Sequence, residues 1–146
     1  MTSQQAVTVN GRTLTSEELA KLAIAIAMEK KAYAPTLIDL RDQDAFTEFF
    51  GIVTASNHRQ VAAITEDIKL FFKNKLGVLP VTIDGVDSST WVLMDYGHFF
   101  IHVFVEETRQ RYQLEQLWSK GLFLELSEKE LDGLMAEVKE LINSAQ

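Results

Sequence analysis

Residues 91 to 118 read WVLMDYGHFFIHVFVEETRQRYQLEQLW, and the fold turns on how this stretch is read. Two apolar runs, Trp91 to Tyr96 and Phe99 to Phe104, meet at an Asp95-Tyr96-Gly97-His98 turn. A connection this short needs a residue tolerant of positive φ, so Gly97 predicts an antiparallel hairpin. The charged, ring-rich segment from Glu106 to Trp118 predicts a partly helical piece. If helical, it places Tyr112, Glu115 and Trp118 on one side at spacing three and turns Leu114 and Leu117 toward the sheet. Trp, Tyr and Arg are the side chains that most often anchor protein interfaces. Spacing alone weighs two readings of Trp118 equally: an interface anchor, or a plug at the end of the core.

Working outward, Leu79 to Ile83 is a further strand, joined to the hairpin by the polar loop Gly85 to Thr90. Upstream, Ser56 or Asn57 can cap a helix whose buried stripe is Val61, Ile64, Ile68, Phe71 and Leu76, and Gly77 ends it. Phe49 to Ala55 is unbroken in its apolar character, as suits a strand covered on both faces. Thr36 to Arg41 is another strand, separated from it by a polar link, Asp42 to Glu48. Thr15 and Glu18 have capping-box spacing, and Leu19, Leu22, Ala23, Ile26 and Ala27 then recur at helical period. That helix is expected to run to about Ala34 and stop before Pro35. Residues 1 to 14 read as a polar leader with a short strand at Val7 to Val9. Ser127 and Glu130 repeat the capping spacing ahead of an apolar stripe, Leu131, Leu134, Val138, Leu141 and Ile142. Strands alternating with helices imply an α/β layered sheet of about five strands.

The 146 residues suit one domain, here 15 to 120, with 121 to 146 as a helical extension. Hydrophobic residues at 47% and charged residues at 24% describe an ordinary globular chain. The start lacks both the basic-then-apolar pattern of a secretory signal and the arginine content of a transit peptide, so a cytoplasmic protein is expected. Without cysteine there are no disulfides and no thiolate ligands. A net charge of -7 argues against a broad phosphate-binding face and suits a basic protein partner.

Candidate chemistry is sparse. Asp42 and Asp44 form an Asp-x-Asp pair of the kind nucleotidyltransferases use to hold magnesium, with Asp95 the one plausible third ligand. No Gly-Ser turn precedes them, so a solvated acidic loop is the preferred reading and a metal-dependent nucleotidyltransferase the alternative. His98 and His102 share a strand face about 13 Å apart, too far for both rings to hold one metal ion. Ser88, Ser89 and Thr90 lack the context of a nucleophile elbow, and the glycines form no phosphate-binding loop. No catalytic residue, metal site or cofactor is expected.

TLIDLRDQDAFTEFFGIVTASNHRQVAAITEDI, then WVLMDYG, IHVF and ETRQRYQLEQLW, follow one another in an order that resembles the ribosomal silencing factor family, also called RsfS or Iojap-related. The resemblance covers roughly Leu19 to Trp118, so nothing transfers to the terminal helix. It implies a nucleotidyltransferase-like three-layer α/β/α sandwich without catalytic residues, with the terminal helix as an addition. It also implies a translation repressor that binds the large-subunit ribosomal protein numbered fourteen and keeps the subunits apart when nutrients are short. Homodimers are implied off the ribosome. Carried over by position, the partner-facing residues are Trp91, Met94, Asp95, Tyr96, His102, Arg109, Tyr112, Glu115 and Trp118. His98, Glu106 and Ala55-Ser56-Asn57-His58 depart from the family pattern beside that surface.

Overall fold

The computed structural model describes residues 7–144. Val7–Val9 (β1) and Arg12–Leu14 (β2) pair as a hairpin that turns through Asn10 and Gly11, both at positive φ. Val7, Val9 and Leu14 are buried in the main core, so this part of the expected polar leader is packed structure. The remainder, residues 1–6, lies outside the described residues.

Helix α1 spans Ser16–Glu29 and opens on the predicted capping box: Glu18 N donates to Thr15 Oγ1 at 3.1 Å, and Thr15 N to Glu18 Oε1 at 3.0 Å. It stops at Glu29, short of the expected Ala34, and Lys31 is left-handed at φ 68°. The reason is that Tyr33–Asp39 (β3) is claimed by antiparallel pairing with Phe49–Ala55 (β4). Pro35 has no N–H for a ladder and sits where the register breaks, between Tyr33 and Thr36. Every residue of β4 is buried, as its apolar run predicts. Gly51 lies under α1, where a Cβ would sit 2.8 Å from Ile101 Cδ1 and 3.3 Å from Ile24 Cδ1.

Helix α2, His58–Phe71, takes its cap from Asn57, whose Oδ1 accepts from Gln60 N at 2.9 Å. It widens into a π-helical turn, Phe72–Leu76, and Gly77 closes it at φ 71°. Phe72 is the ring fully buried on this stripe, displacing the expected Phe71. Strand β5, Thr82–Asp84, is shorter than predicted and leaves Leu79 and Val81 exposed. Trp91–Asp95 (β6) and Phe99–Val105 (β7) form the predicted hairpin, with Gly97 at φ 88°. There follow Glu106–Tyr112 (α3), Leu114–Leu117 (α4), Leu122–Leu124 (β8) and Glu128–Ser144 (α5). Ser127 Oγ accepts from Glu130 N at 3.0 Å to start α5, which buries Leu131, Met135, Val138 and Ile142 beside α1.

The fold is mixed α/β, with six strands in the order β5-β6-β7-β4-β3-β8 where about five were expected. Among the described strands only β4 and β7 run parallel, and α2 lies on the connection between them. The sixth strand, β8, is a three-residue edge pairing to β3, too short to show a period. Helices α1, α2 and α5 and the β1–β2 hairpin share the larger core with one sheet face. The other face carries a smaller core, with Leu114 and Trp118 of the α3–α4 region packed on it. The expected third layer is therefore two short helices at one end of the sheet. Among the described residues, no helix is long and apolar enough to cross a membrane.

Candidate functional site

Alternation along β6 and β7 sorts their side chains onto two faces. Val92, Met94, Phe99, Ile101 and Val103 belong to the helix-covered core. Trp91 and Leu93, with Phe100 and Phe104, point the other way and join Ile38, Phe50 and Ile52. This second face is a layer of rings. Phe50 and Phe100 stack with centroids 5.6 Å apart, Trp91 stacks on Phe104 at 4.9 Å, and Trp118 meets Phe50 edge-on at 5.6 Å. Tyr112 leans on Trp91 at 4.8 Å, and Phe46 lies 5.3 Å from Phe100 and 6.3 Å from Trp118.

The layer is incompletely covered. Phe46 is 71% exposed, Leu117 72% and Tyr112 52%. Phe46 and Tyr112 stand directly on the ring layer, so exposed and half-buried rings there are continuous, as on a docking surface. Trp118, half-buried between Phe46 and Phe50, serves both the core and the rim of the patch.

His102 lies within the rings, buried, with Nδ1 accepting from Trp91 Nε1 at 3.0 Å. That bond places the imidazole proton on Nε2, which has no hydrogen-bond partner and is buried. The Phe50 ring stands edge-to-face with the imidazole at 4.8 Å. Burial pushes the His102 pKa down to about 3, so the ring is neutral at physiological pH. His102 supports the face from beneath and presents no atom to a partner.

Arg109 is also internal. Its Nε and Nη2 donate to Glu115 Oε2 at 2.9 and 2.7 Å, Nη2 to Thr36 Oγ1 at 2.9 Å, and Nη1 to Thr54 Oγ1 at 2.7 Å and to the Ala34 carbonyl. Glu115 is its ion-pair partner, and the Arg109 side chain is 13% exposed.

His102 is thereby corrected as a partner-facing residue, and two further partner-facing assignments are corrected with it. Met94 is fully buried on the helix-covered face, because strand alternation turns it away from Trp91 and Leu93. Tyr96, 3% exposed, stacks on Phe99 at 5.0 Å and meets Phe72 at 5.1 Å. Its hydroxyl is buried without a partner, and burial raises its pKa. Asp95 is half-buried and its Oδ1 accepts from Gly97 N at 2.7 Å, closing the hairpin turn. Tyr112, Glu115 and Trp118 do not share one helix, since Gln113 at φ 49° separates α3 from α4. They converge on the sheet all the same. Leu114 packs inward as expected, whereas Leu117 faces solvent.

Phe46 and Leu117 were missed. Phe46 stands in a link that reads as polar, and the one trace of its role was an apolar Ala45-Phe46 pair among charges. Asp42 and Asp44 are exposed in that link. No three His, Asp or Glu side chains among the described residues gather as metal ligands. His98 stands 3.9 Å from Glu48 Oε2 across the link.

A Halalkalibacterium halodurans protein named "Ribosomal silencing factor RsfS" is 29% identical over 113 residues, spanning 77% of this chain and 96% of its own length. A crystal structure of a Bacillus halodurans protein superposes with a TM-score of 0.66 at 30% identity, covering 76% of this chain and all of that one. A mouse protein named "Mitochondrial assembly of ribosomal large subunit protein 1" is 27% identical over 70% of this chain and 46% of its own length. The family model described as "Ribosomal silencing factor during starvation" matches residues 13–146, taking in α5, which the resemblance had left outside. On that match, the chain belongs to the ribosomal silencing factor family.

Proposed function

We propose that the protein represses translation by docking on the large ribosomal subunit, at the ribosomal protein numbered fourteen, and blocking association with the small subunit when nutrients are short. The observation that carries this reading is that the exposed rings of Phe46 and Tyr112 stand on the ring layer, with Leu117 exposed on α4 next to Trp118 in sequence. A packed scaffold beneath exposed rings loses little side-chain entropy on binding, which favours a long-lived complex. The net charge of -7 would speed encounter with a basic ribosomal protein. Repression is steric and needs no cofactor or chemical step. The protein acts in the cytoplasm and pairs as a homodimer when off the ribosome.

Sedimentation of the purified protein with large subunits tests the surface. Phe46→Ala and Leu117→Ala should each weaken co-migration, with about 2 kcal/mol lost at a central anchor. Wild-type co-migration of the Phe46→Ala, Tyr112→Ala, Leu117→Ala triple variant would refute the assignment.

A further inference from the structure

We infer that Arg109 is a positioning residue that sets the shape of the docking face without touching the partner, an inference that rests on the docking reading above. A guanidinium has five N–H donors. All five are used here: one on the Ala34 carbonyl, one on each hydroxyl of Thr36 and Thr54, and two on Glu115 Oε2. None is left for a partner.

The acceptors lie on three separate elements: the start of β3, the end of β4, and α4. On β3, the register break and the left-handed Ala34 at φ 52° accompany the bond that its carbonyl accepts from Arg109 Nη1. On α4, Glu115 lies beyond the left-handed Gln113, so the Arg109–Glu115 pair spans the break between the two helices. Tyr112 stands on one side of that break and Leu117 and Trp118 on the other. The angle at Gln113 therefore decides how these side chains are presented together.

Packing alone does not hold this segment. Neither α3 nor α4 has a fully buried residue or a side-chain N-cap. Besides the Arg109 network, the ties are the Tyr33 hydroxyl donating to Glu106 Oε1 at 2.7 Å, the ring contacts of Tyr112 and Trp118, and the packing of half-buried Leu114 on the smaller core. Thr36 and Thr54 are strand positions where Val would suit the backbone equally well. Their hydroxyls both go to Arg109, so docking should depend on two threonines that lie away from the exposed rings.

The test uses the full chain, purified large subunits at several salt concentrations, and hydrogen exchange on the free protein. Arg109→Lys keeps the charge but has three donors and no planar fork. It and the Thr36→Val, Thr54→Val double variant should each weaken binding about tenfold, as loss of an ordered face implies. The dependence of log K on log salt should keep its wild-type slope, because no charge facing the partner has been altered. Exchange should quicken within residues 106–118 while the amides of α1 and β7 stay protected. The inference is overturned if Arg109→Lys binds normally while Arg109→Met does not, or if the double threonine variant binds as wild type. A weaker salt dependence in Arg109→Met would also overturn it by revealing a direct ionic contact. Failure of the docking reading looks different: Phe46→Ala and Leu117→Ala bind normally, while exchange in 106–118 still reports whether the clamp holds.

Discussion

Replacing Tyr96 by Phe should stabilise the protein and leave ribosome binding unchanged. The residue is 3% exposed and its hydroxyl has no hydrogen-bond partner. Burying an unpaired hydroxyl costs about 1–3 kcal/mol, of which lost dispersion contacts in the variant return a part. The stacking of the ring on Phe99 and its contact with Phe72 survive the change. A gain of about 1 kcal/mol follows, which in a chain this size raises Tm by about 3 °C. Urea denaturation should show a higher midpoint at unchanged slope, the sign of a stability change without a change in compactness. Binding to large subunits should match wild type, because the ring points away from the exposed face. Destabilisation by 1 kcal/mol would show that the hydroxyl has a partner, and weakened binding would return Tyr96 to the docking surface. Tyr96→Ala is the poorer experiment: it would cost about 3–5 kcal/mol as a core cavity and confuse folding with docking.

Gly51→Ala places a methyl 2.8 Å from Ile101 Cδ1 and 3.3 Å from Ile24 Cδ1, and should cost about 1–3 kcal/mol in urea denaturation. His102 titrates at about 3 when folded, below its unfolded value of about 6.5, so the unfolded chain takes up the proton first. Its contribution is fully present above about pH 6.5 and is lost as pH falls toward 3, amounting to about 2 kcal/mol by pH 5. Stability curves between pH 7.5 and 5 should show that decline in the wild type and a flatter profile in His102→Leu. Asp42→Asn with Asp44→Asn should co-sediment with large subunits as wild type does, and calorimetry with magnesium and nucleoside triphosphates should give no heat for either protein. Heat that vanishes in the double variant would restore the nucleotidyltransferase alternative.

Where local chemistry decides, the sequence by itself was sufficient. The Thr15–Glu18 capping box, the Ser127 cap, Gly77 and Gly97 act within a few residues of themselves, and helix starts, a helix end and the hairpin turn are where those residues predict. Period-two alternation likewise separates Trp91 and Leu93 from Val92 and Met94. What alternation does not say is which side the helices cover, because β4 and most of β7 are buried on both faces and read as continuous apolar runs. Only the packing of α1, α2 and α5 decides that Met94 and Tyr96 are core while Trp91 joins the rings on the opposite face of the sheet. The same holds for the Glu106 to Trp118 segment. Its helical period is real, but Arg109 finds its acceptors at Thr54 and Ala34, 55 and 75 residues earlier in the chain. Bonds of that sequence separation leave no periodic trace, and they, together with the left-handed Gln113, turn one predicted helix into two and put Leu117 on the outside.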